Sequence, residues 1–288
     1  MIWPSEVELL DVTPRDGLQD ASGELTTEEK VELINELARA GLRRIEVTSF
    51  VSPRLMPRMR DAEQVAEQLQ GVPGLIALVP NTVGFERAAK CGIREVTYVV
   101  SASSMHQMAN LRMSLEDSLH NLRAIMKLAG KFNIRVRAAI SCAFGSPFEG
   151  EEVRPSEVAV LAGLLRTAGV EEVGLADTVG IAVPQVISEV ISAVQDETHD
   201  LPLALHLHDR FQIGEANVLT ALLCGVTTIE AALGGLGGCP FAPNAPGNLD
   251  LENIALFLEK IGIHTGVDLP ALAGARQTLL EKLNNSMR

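Results

Sequence analysis

The sequence is short of aromatic residues, cysteines and long apolar runs, and each shortage narrows the class of protein. One Trp, one Tyr and eight Phe occur among 288 residues, so we expect an aliphatic α/β core rather than an aromatic-rich β-sandwich. No apolar run approaches the roughly 18–20 residues that span a bilayer, and the N-terminal segment lacks the basic and apolar regions of a secretory signal. The four cysteines are widely spaced without a CxxC pair. They exclude a thiolate zinc site and predict a reduced, cytoplasmic protein.

Basic residues are also scarce. The chain has 24 Lys and Arg against 37 Asp and Glu, which gives a net charge of −13. The negative electrostatic field of such a protein repels phosphate backbones. We therefore expect that neither nucleic acid nor an anionic membrane is a partner. It remains compatible with a small anionic ligand in a local basic pocket. The hydrophobic fraction of 47% and the charged fraction of 21% are those of a globular protein.

Short β-rich runs alternate with longer amphipathic stretches along most of the chain. Eight strand-like runs, the first at residues 7–12 and the last at 228–233, are separated by helix-like segments. This number of strand–helix pairs in about 260 residues predicts an α/β fold, a (β/α)8 TIM barrel. An open doubly wound sheet is the alternative, but no GxGxxG follows the first strand. We expect one domain over residues 1–288, with the barrel at about 7–264 and a helical tail at about 265–288.

Two histidines stand at the end of the seventh strand-like run. His206 and His208 are two residues apart, so on a strand both rings point to the same side. This is the spacing that lets two imidazoles reach one metal ion, although a hydrogen-bonded pair of core histidines is the alternative. Because active sites of such barrels gather at the carboxyl ends of the strands, we expect the pair to face Asp16. Two imidazoles with oxygen ligands suit Mg²⁺ or Mn²⁺.

Other charged residues fall at strand ends as well. Arg15 and Asp16 follow the first strand; they could form a surface ion pair, or direct one charge to a metal and the other to a substrate oxygen. Glu46 lies within an apolar strand, where burial is costly unless the carboxylate is paired. Glu46 and Asp177 are therefore either solvated strand-end carboxylates or groups that orient ligands and move protons.

A glycine- and proline-rich segment follows the eighth strand, from residue 234 to 248. Its composition excludes a helix or a strand, and its length suggests a lid over the site, with a flexible connector as the alternative. Cys239 at its tip could transfer a proton or respond to oxidation. The predicted lid glycines are Gly234, Gly235, Gly237, Gly238 and Gly247.

Several motifs in this order resemble one enzyme family. They are PRDGLQ at 14–19, TSFVSP at 48–53, SCA at 141–143, PFEG at 147–150, DTVG at 177–180, HLHD at 206–209, GGLGGCP at 234–240, GN at 247–248 and GIHTGV at 262–267. Together they resemble the 3-hydroxy-3-methylglutaryl-CoA lyase family of metal-dependent TIM-barrel lyases, and the likeness runs from about residue 7 to 266.

The resemblance implies a divalent cation bound by Asp16, His206, His208 and Asn248. It also implies that Arg15 polarises the thioester carbonyl and stabilises an enolate, that Glu46 and Asp177 support the site's geometry, and that His206 and Cys239 transfer protons. The first base stays open between Asp16 and a metal-bound hydroxide. Asn248 is a ligand that spacing alone does not indicate.

The sequence departs from the family pattern around the expected substrate pocket. Ala139 stands where an aromatic residue is common, Arg210 where Thr is usual, Ser146 where Cys is common and Ser104 where Glu is frequent. The expected substrate-binding residues are Arg15, Gln19, Ser103, Ala139 and Arg210. An arginine cluster, Arg54, Arg58 and Arg60, either contacts CoA phosphates or is a solvated basic face.

The implied function is metal-dependent cleavage of a 3-hydroxy-3-methylglutaryl-CoA-like thioester to acetyl-CoA and a keto acid such as acetoacetate. A lyase for a substrate with a bulkier C3 substituent, such as isohexenylglutaryl-CoA, is the alternative that Ala139 suggests. A condensing synthase or aldolase of the same superfamily and a non-enzymatic binding protein are the other classes. The expected partners are a CoA thioester and, by resemblance, a second copy of the chain in a homodimer or other homo-oligomer.

Overall fold

A computed structural model describes residues 3–238 and 247–287 of the protein. Its eight parallel strands follow one another in chain order around a closed barrel, in which β1 also pairs with β8. The predicted (β/α)8 barrel is therefore confirmed. The strands are β1 (Glu8–Asp11), β2 (Arg44–Ser49), β3 (Leu75–Leu78), β4 (Glu95–Ser101), β5 (Arg135–Ser141), β6 (Glu172–Asp177), β7 (Leu203–Leu207) and β8 (Thr228–Ala231).

Helices follow the strands and surround the barrel. They are α1 (Thr27–Arg39), α2 (Ala62–Gln68), α3 (Thr82–Lys90), a single turn α4 (Ser104–His106), α5 (Leu115–Phe132), α6 (Pro155–Ala168), α7 (Pro184–Thr198), α8 (Gly214–Leu223), α9 (Leu251–Lys260) and α10 (Leu269–Ser286). None of the helices in the described ranges is long and apolar enough to cross a membrane.

Local sequence signals explain where the helices begin and end. The Thr26 side chain accepts a hydrogen bond from the backbone of Glu29, and the Glu29 side chain accepts one from the backbone of Thr26, which begins α1 with a capping box. Gly169 ends α6 in the left-handed region at φ 98°, a conformation that costs glycine little. Pro155 and Pro184 occupy the first turns of α6 and α7, where a missing N–H leaves no bond unmade.

The apolar core lies between the barrel wall and the helices. It is aliphatic, as expected, with buried Val, Leu, Ile and Ala from strands and helices in one large cluster. The barrel interior differs from the aliphatic expectation, because strand register places charged residues there. Arg44 lies beside Leu10, Glu230 beside the same Leu10, and Arg137 beside Glu172. Their opposite charges pair with one another, so burial is tolerated.

The C-terminal tail is a helix, as predicted, and it packs on the barrel. Leu272, Ala275, Leu279 and Leu283 are its buried face, and α10 contacts α1 and α9. Lys282 of α10 pairs with Glu32 of α1. The tail therefore closes the outer layer beside the first helix.

Candidate metal centre and active site

Three potential ligands converge at the carboxyl ends of β1 and β7. Asp16 lies on a short helical turn (Thr13–Gly17) after β1, His206 lies in β7, and His208 follows it. One ligand atom from each residue lies within 4.8 Å of those of the other two. The prediction that both rings share one side and face Asp16 is confirmed. The strand's period of two and the close neighbourhood of β1, β8 and β7 produce this arrangement.

Asn248 joins the three residues. A backbone bridge pairs it with His208, and its Nδ2 donates hydrogen bonds to Asp16 Oδ2 at 2.8 Å and to the carbonyl of Leu236 at 2.7 Å. Its Oδ1 is buried and has no hydrogen-bond partner among the described residues. The fourth residue implied by the resemblance therefore lies beside the other three and presents an unused oxygen.

The donor set fits a divalent cation. His206 Nε2 and His208 Nε2 face each other at 3.3 Å, and two imidazole lone pairs at that distance repel unless a proton or a cation lies between them. Two ligand atoms bound at right angles to one small cation are separated by about 3 Å. With a carboxylate and an amide oxygen alongside, the ligand chemistry suits Mg²⁺ or Mn²⁺ better than a thiolate-seeking metal.

Opposing influences set the charges of these ligands. Burial disfavours the charged form of His206, but the hydrogen bond and negative charge of Glu230 outweigh it and raise the pKa of His206. Burial, together with the nearby charge of His206, lowers the pKa of His208 to about 4, so its ring is neutral at pH 7. Burial opposes ionisation of Asp16, yet the adjacent Arg15 guanidinium holds the pKa of that carboxyl below its usual range.

Arg15 is held by two carboxylates at the edge of the centre. Its Nε donates to Glu46 Oε2 at 2.5 Å, and its Nη1 donates to Asp16. The Glu46 side chain is 1% exposed, whereas that of Arg15 is 12% exposed. Burial works against the guanidinium charge, but the two carboxylates raise the pKa of Arg15 further above its usual value. Glu46 is thus the paired carboxylate that its apolar strand requires, and Nη2 is the arginine nitrogen that these two contacts leave unused.

Asp177 structures the loop after β6. Its carboxylate accepts hydrogen bonds from the backbone N–H groups of Gly180, Ile181 and Ala182 at 2.9–3.1 Å. Burial raises the pKa of Asp177, and these three donors act against that rise. Its oxygens are therefore engaged in shaping the loop that lies beside His206, which is a supporting position.

The predicted substrate-binding residues are spread around the barrel mouth. Gln19 lies partly exposed just beyond the turn that carries Arg15, and Arg210 is exposed after the strand-7 histidines. Of the arginine cluster, Arg58 donates to the carbonyl of Gly23 and Arg60 pairs with Glu24 at 2.9 Å. These two contacts give Arg58 and Arg60 structural partners in the loop before α1.

Ser103 is buried in a cluster of serine hydroxyls that surrounds Glu151. The Glu151 carboxylate accepts from Ser103, from Ser104 at 2.8 Å and from Ser146 at 2.6 Å. These donors, with the backbone N–H of Met105, overcome a burial effect and lower the pKa of Glu151 to about 2. These hydrogen bonds connect the loop after β4 to the loop after β5. They involve Ser104 and Ser146, the two serines at which the sequence departs from the family pattern.

Small residues of β5 and β6 line the part of the barrel mouth that adjoins the metal ligands of β7. Ala139 faces the interior beside Val99 of β4 and Gly174 of β6, and it is only partly buried. Ala176 faces the same interior beside His206. One wall of the mouth is therefore charged and the other is apolar and built from small side chains.

The ends of the glycine-rich segment lie against the metal ligands. Gly237 has φ 119°, and a Cβ at this position would lie 2.2 Å from Asn248 Nδ2 and 3.0 Å from Asp16 Oδ2. Only glycine lets the backbone come this close. Gly234 and Gly235 also have positive φ, and Gly247 precedes Asn248. Gly238 is the last residue described before Cys239, which itself lies outside the described residues.

Sequence reasoning missed two residues that touch the centre or its support. Glu230 accepts a hydrogen bond from His206 Nδ1 at 3.1 Å, and Arg137 donates to the same carboxylate. Both are charged residues with apolar neighbours on either side in their strands. The argument that singled out Glu46 applies equally to them and could have found them.

Comparison with known proteins bears on the family. The family model described as HMGL-like matches residues 6–279. The chain belongs to the HMGL-like family. It is 40% identical to the mitochondrial hydroxymethylglutaryl-CoA lyase of Homo sapiens over 283 residues, which cover 98% of this chain and 87% of that protein.

Solved structures agree with this assignment to the HMGL-like family. A Bacillus subtilis HMG-CoA lyase superposes with a TM-score of 0.94 at 39% identity, covering 99% of this chain and 96% of that one. An HMG-CoA lyase from Acinetobacter baumannii, in complex with coenzyme A and 3-methylmalate, has a TM-score of 0.92 at 36% identity, covering 99% and 93%. The carboxyl transferase domain of Rhizobium etli pyruvate carboxylase, at 20% identity and a TM-score of 0.74, shares the fold.

Proposed function

We propose that this HMGL-like chain cleaves 3-hydroxy-3-methylglutaryl-CoA to acetyl-CoA and acetoacetate with a bound Mg²⁺ or Mn²⁺. The observation that carries the proposal is the convergence of Asp16, His206 and His208 with the unused oxygen of Asn248. Relatives about 40% identical over nearly the whole chain are named hydroxymethylglutaryl-CoA lyases. A structural relative with coenzyme A bound supports a CoA thioester as the substrate.

The chemistry requires the 3-hydroxyl to lose its proton and the C2–C3 bond to break. A carbonyl then forms at C3, giving acetoacetate, and the electron pair passes to C2 as the enolate of acetyl-CoA, which takes up a proton. The cation, when bound by Asp16, His206, His208 and Asn248, supplies the positive charge that makes the hydroxyl more acidic. The first base stays open, and Asp16 is one candidate.

Arg15 is placed to stabilise the enolate. Glu46 and Asp16 fix its guanidinium from two sides, which leaves Nη2 to donate to the thioester oxygen as negative charge develops there. Because the side chain is held before substrate arrives, little reorganisation is needed in the transition state. Glu46 therefore acts on the reaction through Arg15, and Asp177 through the shape of its loop.

Cys239 is proposed as the acid that delivers the proton to C2. The support is that Gly237 and Asn248, on either side of the segment, lie beside Asp16, so the chain between them starts and ends next to the site. A Cys239→Ser variant tests the role, because it should retain Mn²⁺ binding while acetyl-CoA release falls.

We further propose that the protein is cytoplasmic and that it forms a homo-oligomer. Size-exclusion chromatography with light scattering would check the oligomeric state.

The direct test is release of acetyl-CoA from 3-hydroxy-3-methylglutaryl-CoA by the purified chain. Activity should require Mg²⁺ or Mn²⁺, disappear with a chelator, return when the metal is restored, and be absent in His208→Ala. Turnover that is unaffected by chelation, or condensation of acetyl-CoA with a keto acid without cleavage, would contradict the proposal and favour a different class of barrel enzyme.

A bulkier C3 substituent is a second candidate, favoured by the small apolar wall around Ala139. That side chain faces the mouth and is partly exposed beside Val99 and Gly174, so an alkyl or isoprenoid group could contact this wall. Substrates with methyl, butyl and isohexenyl groups at C3 should be compared by kcat/KM in wild type, Ala139→Val and Ala139→Phe. The larger side chains should reduce cleavage of the longer substrates most. A wild-type enzyme that strongly prefers the methyl compound would reject this candidate.

A further inference from the structure

A chain of ion pairs crosses the barrel interior and ends on a metal ligand. Arg44 donates to Glu172 at 2.8 and 3.0 Å, and Arg137 Nε donates to the same carboxylate at 2.7 Å. Arg137 Nη2 then donates to Glu230 Oε1, and Glu230 Oε2 accepts from His206 Nδ1 at 3.1 Å. Four strands, β2, β5, β6 and β8, thus support the orientation of one imidazole in a fifth, β7.

The hydrogen-bond donors and acceptors in this series of ion pairs allow only one position for the proton of His206. An arginine nitrogen can only donate, so Oε1 of Glu230 is committed to Arg137. Oε2 is an acceptor, and it is satisfied only when His206 carries a proton on Nδ1. With the proton there, the Nε2 lone pair of the neutral ring is free for a cation. Glu230 is 4% exposed and Arg137 is 1% exposed, so bulk water cannot readily replace either contact.

Gly174 makes room for the Arg137–Glu230 pair. A Cβ at this position would lie 3.0 Å from Arg137 Nη2 and 3.2 Å from Glu230 Oε1. Both distances are shorter than ordinary side-chain contacts, so a larger residue at 174 would require Arg137 or Glu230 to shift by a few tenths of an ångström. The inner wall of β6 is therefore shaped to let the two charged groups meet above it.

We propose that Arg137 and Glu230 are positioning residues that keep the proton of His206 on Nδ1 and thereby hold Nε2 ready for the cation. The inference rests on the proposed metal-dependent function. It goes further because it assigns a role to two residues that do not reach the cation or the substrate. It also assigns Oε1 of Glu230 to Arg137 and Oε2 to the N–H of His206.

Glu230→Gln provides the sharpest test, because it preserves the shape of the side chain while it removes the carboxylate charge and replaces one acceptor with a donor. An amide has one acceptor oxygen, and Arg137 will take it, so the NH₂ group must face His206 Nδ1. That nitrogen then has to accept, the ring proton moves to Nε2, and the cation loses a ligand. We expect the Kd for Mn²⁺, measured from the electron paramagnetic resonance signal of free Mn²⁺, to rise about 10- to 100-fold.

A double variant should reverse the defect. In Arg137→Met/Glu230→Gln the arginine donor is gone, so the amide can turn its oxygen towards Nδ1 and restore the original tautomer. The Kd for Mn²⁺ should return to within about threefold of that of Arg137→Met alone. Long-range ¹H–¹⁵N spectra of the metal-free, histidine-labelled proteins should show the neutral ring protonated on Nδ1 in wild type and the double variant, and on Nε2 in Glu230→Gln.

Glu95→Gln is the matched control. Glu95 is another buried carboxylate inside the barrel, but it pairs with Arg44 and Arg135 and does not touch His206. Its Mn²⁺ Kd should stay within about twofold of wild type, and circular dichroism should show all variants folded. The proposal is overturned if Glu230→Gln keeps the wild-type Kd and tautomer, or if Glu95→Gln weakens Mn²⁺ equally. A wild type that binds Mn²⁺ without cleaving the thioester would reject the proposed function and leave this inference standing.

Discussion

The barrel interior holds its charges differently in two regions: the lower half, towards the amino ends of the strands, and the mouth, at their carboxyl ends. In the lower half, Glu172 accepts on both oxygens from Arg44 and Arg137, and Arg44 also pairs with Glu95. In the mouth, Asn248 Oδ1 and Glu46 Oε1 are buried without a partner within residues 3–238 and 247–287. In the lower half the charged groups pair with one another and leave one donor, Arg44 Nε, without a partner in the same ranges, whereas the mouth keeps acceptor lone pairs unused.

The difference distinguishes polar groups that stabilise the fold from polar groups that are available to bind a ligand. A buried polar atom without a hydrogen bond costs roughly 1–3 kcal/mol, so a stable fold retains several in one place only where something else compensates for them. A cation and a substrate would do so in the mouth, whereas the ion pairs below require no ligand. Arg137 and Glu230 connect the two regions, since their chain begins among the paired charges and ends on His206.

The largest expected effect comes from removing a charged ligand from the mouth. Asp16→Asn keeps the shape of the side chain but loses the negative charge that the cation requires, so acetyl-CoA release should fall about 10³-fold or more, equivalent to about 4 kcal/mol. Steady-state assays at saturating Mg²⁺ measure it. Glu95→Gln, a lower-half carboxylate, serves as the control, and equal losses in the two variants would erase the distinction between the regions.

Arg15→Lys should be the next most damaging change. Lysine keeps one charge, but its three N–H donors share a single nitrogen and cannot reproduce the planar fork by which separate nitrogens of Arg15 reach Glu46 and Asp16 and leave Nη2 for the thioester oxygen. We expect kcat to fall about 10²-fold, while the Kd for Mn²⁺ changes by only a few fold. If kcat stays near wild type and Mn²⁺ binding is lost instead, Arg15 serves the metal ligand rather than the developing enolate.

In the lower half the expected effect is on stability. Arg44→Met leaves Glu95 without its nearest partner and Glu172 with Arg137 alone. It should lower the free energy of unfolding by about 3 kcal/mol, measured by urea denaturation. Arg43→Met is an adjacent control, because the Arg43 side chain is 68% exposed in its pair with Glu6. That change should cost less than about 1 kcal/mol. Equal losses would show that burial of the pair is irrelevant.

The smallest expected effect is at Asp11, whose buried carboxyl has no oppositely charged partner among residues 3–238 and 247–287. Burial raises its pKa to about 7, against hydrogen bonds from Thr13 that lower it. The unfolded chain loses this proton at lower pH than the folded chain, so ionisation destabilises the fold increasingly as pH rises from about 4 to about 7. Asp11→Asn removes this dependence. Its free energy of unfolding relative to wild type should rise by about 2 kcal/mol between pH 5 and pH 7; a constant difference would contradict the raised pKa.

The barrel and half of the centre follow from the sequence for simple physical reasons. Alternation of strands and helices predicts the fold, and the strand period places His206 and His208 on one side. The Arg44–Glu172–Arg137–Glu230 chain was missed because its members lie on four separate strands. Alternation can indicate which residues face inward, whereas the choice of partner depends on register and stagger around the closed barrel. Asn248 came only from family resemblance, because a long segment separates it from the strand it joins.

Binding of Mn²⁺ to the purified, metal-free chain is the measurement that tests the metal centre most directly. A titration followed by electron paramagnetic resonance should show one Mn²⁺ per chain, displaced by Mg²⁺ and lost in His208→Ala. A chain without a saturable site, or one whose site is unchanged in His208→Ala, would contradict the claim that Asp16, His206, His208 and Asn248 form a divalent-cation centre in the barrel mouth.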